Sequence, residues 1–437
     1  KGARVSALRT RAGSPVQVEH SDALPVVGVG ISLRTGSLTD PEGKEGLTRM
    51  LARAMRMGTR GLSSVKLEET IDAMGAQLSM GVSQSYAHFG GVVVKQNLER
   101  YLELLGELLL RPAFRAGDVA LVKRETKAEL TNLLDEDRAL CFRNFRTFAF
   151  GDHPYARSRM GSPSSVRRIG RDDLRGHHKR LMRADNLVIG VWGDFDADAL
   201  MPMLDRVFGE MPRAGAPSVE LPAPRLPRGR RVLLIDKPER TQTQIAIGTL
   251  GTHPRDREHV PLLVGNTSFG GLFTSRLTTE VRGKRGWSYG ANSSLTQSLT
   301  RDLWAMHTYP AAADARACIE LQLSLLEDWI ARGVTARELR AAQSYLAKGH
   351  AFEVDTPAKR LDRALDDELF NWPRHYHERF VERVRAVTRE DIQTALRRRL
   401  SARDLVITLV ATADQLLPEL EKLPEIASIE VRPFDQL

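Results

Sequence analysis

The sequence is poor in most of the features that announce a function. It holds two cysteines in 437 residues, Cys141 and Cys318. One pair so far apart makes no disulfide framework, and no CxxC spacing offers a thiolate metal site. Two buried free thiols are the expected outcome. No run approaches the roughly 18 apolar residues that a membrane-spanning helix needs. The opening KGARVSALRT has no apolar signal-peptide segment; the chain starts at Lys1 without a methionine, which leaves export open. The phosphate-loop order GxxxxGK[ST] is absent, and the glycines of GVGISLRTG around Gly28 alternate within a strand instead. Aromatic residues make up 6% of the chain. None interleaves the densest basic cluster, Arg397, Arg398 and Arg399 with Arg403 after it, as a stacking platform for single-stranded nucleic acid would require.

The composition that remains is that of a globular protein, 42% hydrophobic and 27% charged. Its length suggests two or three domains. The net charge of +9 is spread among acids along the whole chain. It reads as solvated helix faces with some preference for anionic partners, and not as a nucleic-acid surface.

The first half predicts strands at Arg4–Arg9, Pro15–Glu19 and Val26–Arg34, then a helix Lys44–Met57 with Leu47, Met50, Leu51 and Ala54 on one stripe. Ser63 or Ser64 caps a second helix that Gly75 ends. Strands Ala76–Val82 and Tyr86–Lys95 follow, then helices Asn97–Leu110, Ala116–Leu134, Arg138–Phe150 and Arg171–Met182, and a closing strand Asn186–Trp192. Pro212–Arg230 is too rich in proline and glycine for a helix or central strand and reads as a linker. The expected domains are therefore 1–212 and 231–437, joined by 213–230.

After the linker the pattern restarts. Strands are predicted at Arg231–Ile235, Gln242–Gly248, Trp287–Leu295, Leu303–Tyr309 and Asp404–Val410, with helices Glu258–Phe269, Leu272–Arg282, Ala313–Ala331, Thr335–Phe352, Pro357–Leu369 and Arg389–Leu400. The two halves also match in sequence. SVRRIGRDDLRGHHKRLMRADNLVIGVWG aligns without a gap on RVRAVTREDIQTALRRRLSARDLVITLVA, pairing Val166 with Val384, Arg171 with Arg389, Asp173 with Asp391 and Leu187–Ile189 with Leu405–Ile407. That points to an internal duplication. Hairpin-spaced strands with segregated helices imply an α+β fold, two homologous domains, each a largely antiparallel sheet with helices on one face.

One stretch concentrates candidate chemistry, FGGLFTSRLTTEVRGKRGWSYGANSS from Phe269 to Ser294. Gly270 and Gly271 break the chain, and Phe273, Leu277 and Val281 recur at helical spacing, so all three should face a core. Gly286 stops the helix, and Trp287, Tyr289 and Ala291 alternate as in a strand. Arg282 and Tyr289 stand at either end of that turn, where both can reach one pocket. The plain alternative is an ordinary helix-to-strand connection with a surface arginine.

These segments together resemble the pitrilysin (insulinase-like) family of inverted zinc peptidases, over essentially the whole chain. The resemblance implies pairs of α+β domains forming clamshell halves around a peptide-degrading chamber. The family's signature GLxHxxEHMxxxGT matches GLTRMLARAMRMGT, Gly46 to Thr59. Gly46, Leu47, Leu51, Gly58 and Thr59 keep the frame, but Arg49, Ala52 and Arg53 stand where His, Glu and His should be. Arginine stays cationic and offers no lone pair to Zn²⁺, and alanine cannot act as a base. Glu129 in KRETKAEL occupies the place of the third ligand, left to pair with Arg49 or Arg53.

The second signature, GGxxSRLxxxLREKxGLxY, is kept: Gly270, Gly271, Ser275, Arg276, Leu277, Arg282, Gly286 and Tyr289 fall in frame. By resemblance, Arg282 and Tyr289 bind the substrate carbonyl and stabilise the tetrahedral intermediate at a facing zinc site, and Gly270, Gly271 and Ser275 border the substrate. The implied reading is the non-catalytic subunit of a heterodimeric zinc peptidase. It needs no cofactor in this chain; zinc resides in an HxxEH-bearing partner of the same family. A homodimer of the isolated chain is open, the substrates are peptides, and the bacterial periplasm is the favoured compartment ahead of the cytoplasm. The runner-up is a structural or peptide-binding relative with no part in proteolysis.

Other polar residues carry plainer readings. His375 and His377, in HYHE with Glu378, diverge at a helix start. His177 and His178 share an amphipathic helix, at least one facing solvent. His88 sits in a strand, His153 in a structural HPY loop, and Ser275 has no His/Asp partners for nucleophilic catalysis.

Overall fold

The computed structural model describes residues 5–373 and 375–436. Arg4, expected to open the first strand, lies outside them. The chain forms two compact units, neither of them continuous in sequence. The first takes in residues up to Leu130, Arg157–Glu220 and Phe352–Asn371; the second takes in Thr131–Ala156, Leu221–Ala351 and residues from Trp372 onward. Between 213 and 229 there is no helix or strand.

Each unit is built on one six-stranded sheet. In the first the strands are β1 (Ser6–Arg9), β2 (Pro15–His20), β3 (Val26–Leu33), β4 (Ser79–Val82), β5 (Ala87–Val94) and β6 (Leu187–Gly193), in the order β1-β2-β6-β3-β5-β4. All neighbours are antiparallel except β2 and β6. The second sheet uses β7 (Arg230–Asp236), β8 (Gln244–Leu250), β9 (Ala291–Leu295), β10 (Leu303–Thr308), β11 (Leu405–Ala411) and β12 (Ile426–Pro433), ordered β12-β7-β11-β8-β10-β9. The five inner-to-far-edge positions repeat the first sheet strand for strand; the sixth does not, because β1 opens the chain while β12 closes it. β11 runs parallel to β7, and β7 parallel to β12.

The duplicated helices repeat even in their capping. Asp173 accepts the Gly170 N–H at 2.9 Å ahead of the helix Arg171–Leu181, and Asp391 accepts the Thr388 N–H at 2.8 Å ahead of Arg389–Arg399. Val166 and Val384 are both fully buried.

Helices on one face only would leave β6 and β11 alternating, yet every residue of β11 and nearly all of β6 are buried. The physical reason is a second cover. In β6, Val188, Gly190 and Trp192 point to one side, where Leu361 and Leu365 of the helix Pro357–Phe370 pack; a Cβ on Gly190 would meet both leucines at 2.9 Å. Ile189 and Val191 point to the other side and are equally buried. In the second sheet, Gly248 and Ala305 face the helix Asp137–Phe150, whose Phe145 lies 2.9 Å from the Cβ that Gly248 lacks. Trp304, on the opposite face, packs at a tilt against Phe269 and Trp329, which stack on each other. The two covering helices come from the other half of the sequence in each case. At the offset that pairs Val166 with Val384, Asp137 falls on Asp355 and Phe150 on Glu368, so the two halves exchange the same repeated helix.

Some elements differ from their sequence pattern. The helix predicted over 272–282 begins at Arg276 and closes in a π turn, Thr279–Gly283. Leu272 and Ser275 are extended, so Phe273 precedes the helix and is 71% exposed, while Leu277 and Val281 are buried as expected. The strand predicted from Trp287 starts at Ala291. Ser288 Oγ donates to Gly290 O at 2.6 Å and accepts the Tyr309 N–H at 2.9 Å, which takes the place of a strand partner. His375, expected at a helix start, sits in a turn with φ 61°, and that helix begins at Phe380.

Candidate functional site

Two clusters hold the residues singled out by the sequence, one in each unit. The first is the helix Leu47–Met55. Gly46 caps it in the left-handed region at φ 95°, where a Cβ would strike the Met160 carbonyl at 2.8 Å. The buried Asp40 carboxylate takes the N–H groups of Gly46 and Thr48, both at 2.8 Å, and the Thr48 hydroxyl at 2.6 Å. Burial pushes Asp40 up to about 6, against the pull of those hydrogen bonds. Met50, Leu51 and Ala54 anchor the inner face of the helix.

Arg49 and Arg53 project one turn apart from the outer face, and both meet the carboxylate of Glu129 on the helix Ala116–Leu133. Arg49 Nη2 is 2.7 Å from Glu129 Oε2, and Arg53 Nη1 is 2.9 Å from Oε1. Arg53 Nη2 also donates to Glu125 Oε2 at 2.8 Å. Sequence reasoning misses Glu125, although it lies one helical turn before Glu129 and that spacing is the usable signal. Ala52 is buried. The donor set does not fit zinc: two guanidinium groups occupy the carboxylate, and no neutral imidazole stands with it. Among the described residues, no group of three or more His, Cys, Asp or Glu is placed to hold a metal ion.

The second cluster surrounds Arg282. Its guanidinium carbon lies 4.5 Å from the centre of the Phe273 ring and 4.1 Å from that of Tyr289. Cation–π attraction of about 1 kcal/mol per ring holds it there. Tyr289 is 75% exposed. Among the described residues, neither the guanidinium of Arg282 nor the hydroxyl of Tyr289 has a hydrogen-bond or ion-pair partner. The donors are therefore held side by side by aromatic contact and free to bind.

The segment that carries Arg282 is itself anchored. Arg276 grips Glu338 with two bonds at 2.6 and 2.8 Å and the Gly333 carbonyl at 2.8 Å, tying the segment to its neighbouring helices. Thr278 Oγ1 donates to Ala291 O at 2.8 Å. Ser275 is buried with its hydroxyl 3.0 Å from that of Thr278. Gly270 lets the segment approach β9 closely, since a Cβ would lie 2.2 Å from Ser293 Oγ. Gly271 is exposed, and Gly286, at φ 65°, turns the chain back toward Tyr289. π turns occur at Thr267–Gly271 and at Thr279–Gly283, the second carrying Arg282, a distortion frequent at functional sites.

The remaining candidates are structural in their contacts. His88 lies 3.3 Å from Ser32 Oγ, His153 Nε2 donates to Pro222 O at 3.0 Å, and His375 pairs with Glu378 at 2.7 Å. His177 is buried 2.8 Å from Thr48 Oγ1, and His178 donates to Leu109 O at 2.7 Å. Cys141 and Cys318 are buried free thiols, pushed by burial to about 12 and about 11.

Two family models match in succession. Insulinase (Peptidase family M16) matches residues 16–163, and Peptidase M16 inactive domain matches residues 168–346. The chain belongs to peptidase family M16. It is similar to an uncharacterized zinc protease of Mycobacterium tuberculosis, 28% identical over 401 residues and 90% of each chain. It is also similar to a non-peptidase homolog of Helicobacter pylori, 20% identical over 94% of this chain and 95% of that one. A crystal structure of a peptidase M16 inactive domain from Pseudomonas fluorescens shares the fold, with a TM-score of 0.87 at 23% identity over 93% of this chain and 97% of the other. This M16 chain is thus an inactive-type member.

Proposed function

We propose that this M16 chain is the non-catalytic subunit of a heterodimeric zinc metallopeptidase, and that it lends Arg282 and Tyr289 to a partner's zinc site. The observation that carries this reading is the contrast between the two clusters. Glu129 is consumed by two arginines, while Arg282 and Tyr289 are aligned by aromatic contact with every polar donor unspent. A guanidinium and a phenol so placed can hold the carbonyl oxygen of a peptide and stabilise the negative charge that grows on it when a zinc-bound water attacks. The partner supplies HxxEH, the zinc and the base. Gly270, Gly271 and Ser275 shape the ledge along which an extended peptide would run.

The test is reconstitution. The chain alone should carry no stoichiometric zinc and cleave no quenched fluorescent peptide; cleavage should appear on mixing with an HxxEH-bearing M16 subunit. Tyr289→Phe should then lower kcat by about a hundred- to a thousandfold, the range expected for losing one oxyanion donor, with assembly unchanged. Full activity in that variant would favour the purely structural role instead.

A further inference from the structure

In the first unit, the loop 111–115 joins the helices Leu98–Leu110 and Ala116–Leu133. It is pinned at each residue. Pro112 bridges to Thr59, and the Ala113 N–H donates to Gly58 O at 3.1 Å. Phe114 is buried with φ 46°, a conformation that L residues other than Asn and Asp seldom hold. Arg171 Nε donates to its carbonyl, and its ring meets His178 edge-on at 5.6 Å. Arg115 donates to the carbonyls of Thr59 and Leu62.

This loop walls a cavity of about 460 Å³. Five arginines line it, Arg60, Arg111, Arg115, Arg171 and Arg175, together with His178; the other lining residues are apolar and none is a carboxylate. Two nearby acids offset part of the charge: Asp118 lies 3.3 Å from Arg115, and Asp172 lies 3.7 Å from Arg175. The Arg60 and Arg111 side chains have no hydrogen-bond or ion-pair partner among the described residues. Other basic groups of this chain do find carboxylates, as Arg49, Arg53, Arg276 and Arg399 do; what marks this wall is that its arginines converge on one concavity with no carboxylate in its lining. Like charges gathered round a concave wall raise the local potential and are relieved by a bound anion. Guanidinium forks match tetrahedral oxyanions in geometry, and one carboxylate would leave most of them unused.

We propose that this cavity is a binding site for a phosphoryl oxyanion, held chiefly by Arg60, Arg111 and Arg175 on the rigid frame made by Arg115 and Arg171. The site is independent of the peptidase reading. The same chemistry comes from a free di- or polyphosphate or from a phospholipid head group, so two probes are used on the full chain at physiological salt. Pyrophosphate is titrated by calorimetry, and phosphatidylcholine vesicles doped with phosphatidic acid are tested by sedimentation. Saturable binding of one probe, at one site per chain for pyrophosphate, is expected, and whichever probe binds names the source. The double variant R60A/R111A, which removes two exposed and unpaired side chains, should weaken it at least tenfold. Arg403→Ala removes an exposed charge outside the cavity and should change nothing. Absence of binding by both probes, equal weakening in Arg403→Ala, or binding of random-sequence duplex DNA where neither phosphoryl probe binds would overturn the assignment.

Discussion

With no carboxylate to hold it, the Arg282 guanidinium relies on two exposed aromatic rings for its position. Tyr289 falls in the motif that carries the sequence resemblance; Phe273 does not, and its contact with Arg282 emerges only from the structure. Periodicity places Phe273 in the core with Leu277 and Val281 because it counts the helix as beginning before them all. The extended Ser275 ends that register. Outside a helix, the aromatic is free to stand over Arg282. A ring so exposed contributes little to folding beyond its contact with Arg282, so Phe273→Ala should shift stability by no more than about 1 kcal/mol. It should nonetheless loosen Arg282 and reduce cleavage in the reconstituted enzyme several-fold. Thermal melts and peptide cleavage run side by side separate the two effects. A large loss of stability, or full activity, would sink the idea that Phe273 positions Arg282.

At the scale of elements, the helix Leu47–Met55 still presents positions 49 and 53 to Glu129. These are the positions that the resemblance assigns to a zinc site, here carrying other side chains. Placing the zinc ligands there, by R49H/A52E/R53H, should yield about one zinc per chain, against none expected for the natural sequence, measured by elemental analysis after dialysis. A folded variant without zinc would mean that Glu129 is not the third ligand. The exchanged helices show what sequence could and could not reveal. The helix near Pro357–Phe370 is legible from its periodicity, and the match of Val166 with Val384 exposes the duplication. Nothing local, however, says that its Leu361 and Leu365 settle against Gly190, far back in the chain. That depends on a vacancy over β6 which only the assembled sheet creates. Leu365→Ala should cost about 2–4 kcal/mol, read as a lower denaturant midpoint. A change within error would remove the helix from the core of the first unit.

Across the whole molecule, the response to acid is set by buried groups of opposite sign. His177, His259 and His307 are each held near 4 by burial first, with nearby positive charge adding to it. Their folded values lie below the ordinary 6.5. Their contribution is complete above about pH 6.5 and is lost as pH falls toward 4, since the unfolded chain takes up the protons first. Asp40 and Asp366 are held near 6 by burial. They act the other way, gaining stability as pH falls from about 6 toward the usual carboxylate range. Each tenfold change in proton affinity corresponds to about 1.4 kcal/mol, so between pH 7 and pH 5 three histidines outweigh two aspartates by roughly 3 kcal/mol. The melting temperature should fall steadily across that window. His307 makes the sharper test, because its Nε2 lies 3.0 Å from Gln244 Oε1 and an amide can keep that bond. His307→Gln should reduce the proton uptake on unfolding at pH 5 by about one, measured from the pH dependence of the denaturant midpoint. A melting temperature that stays flat or rises on acidification would show that the aspartates, Asp40 at the cap of the helix Leu47–Met55 foremost, dominate instead.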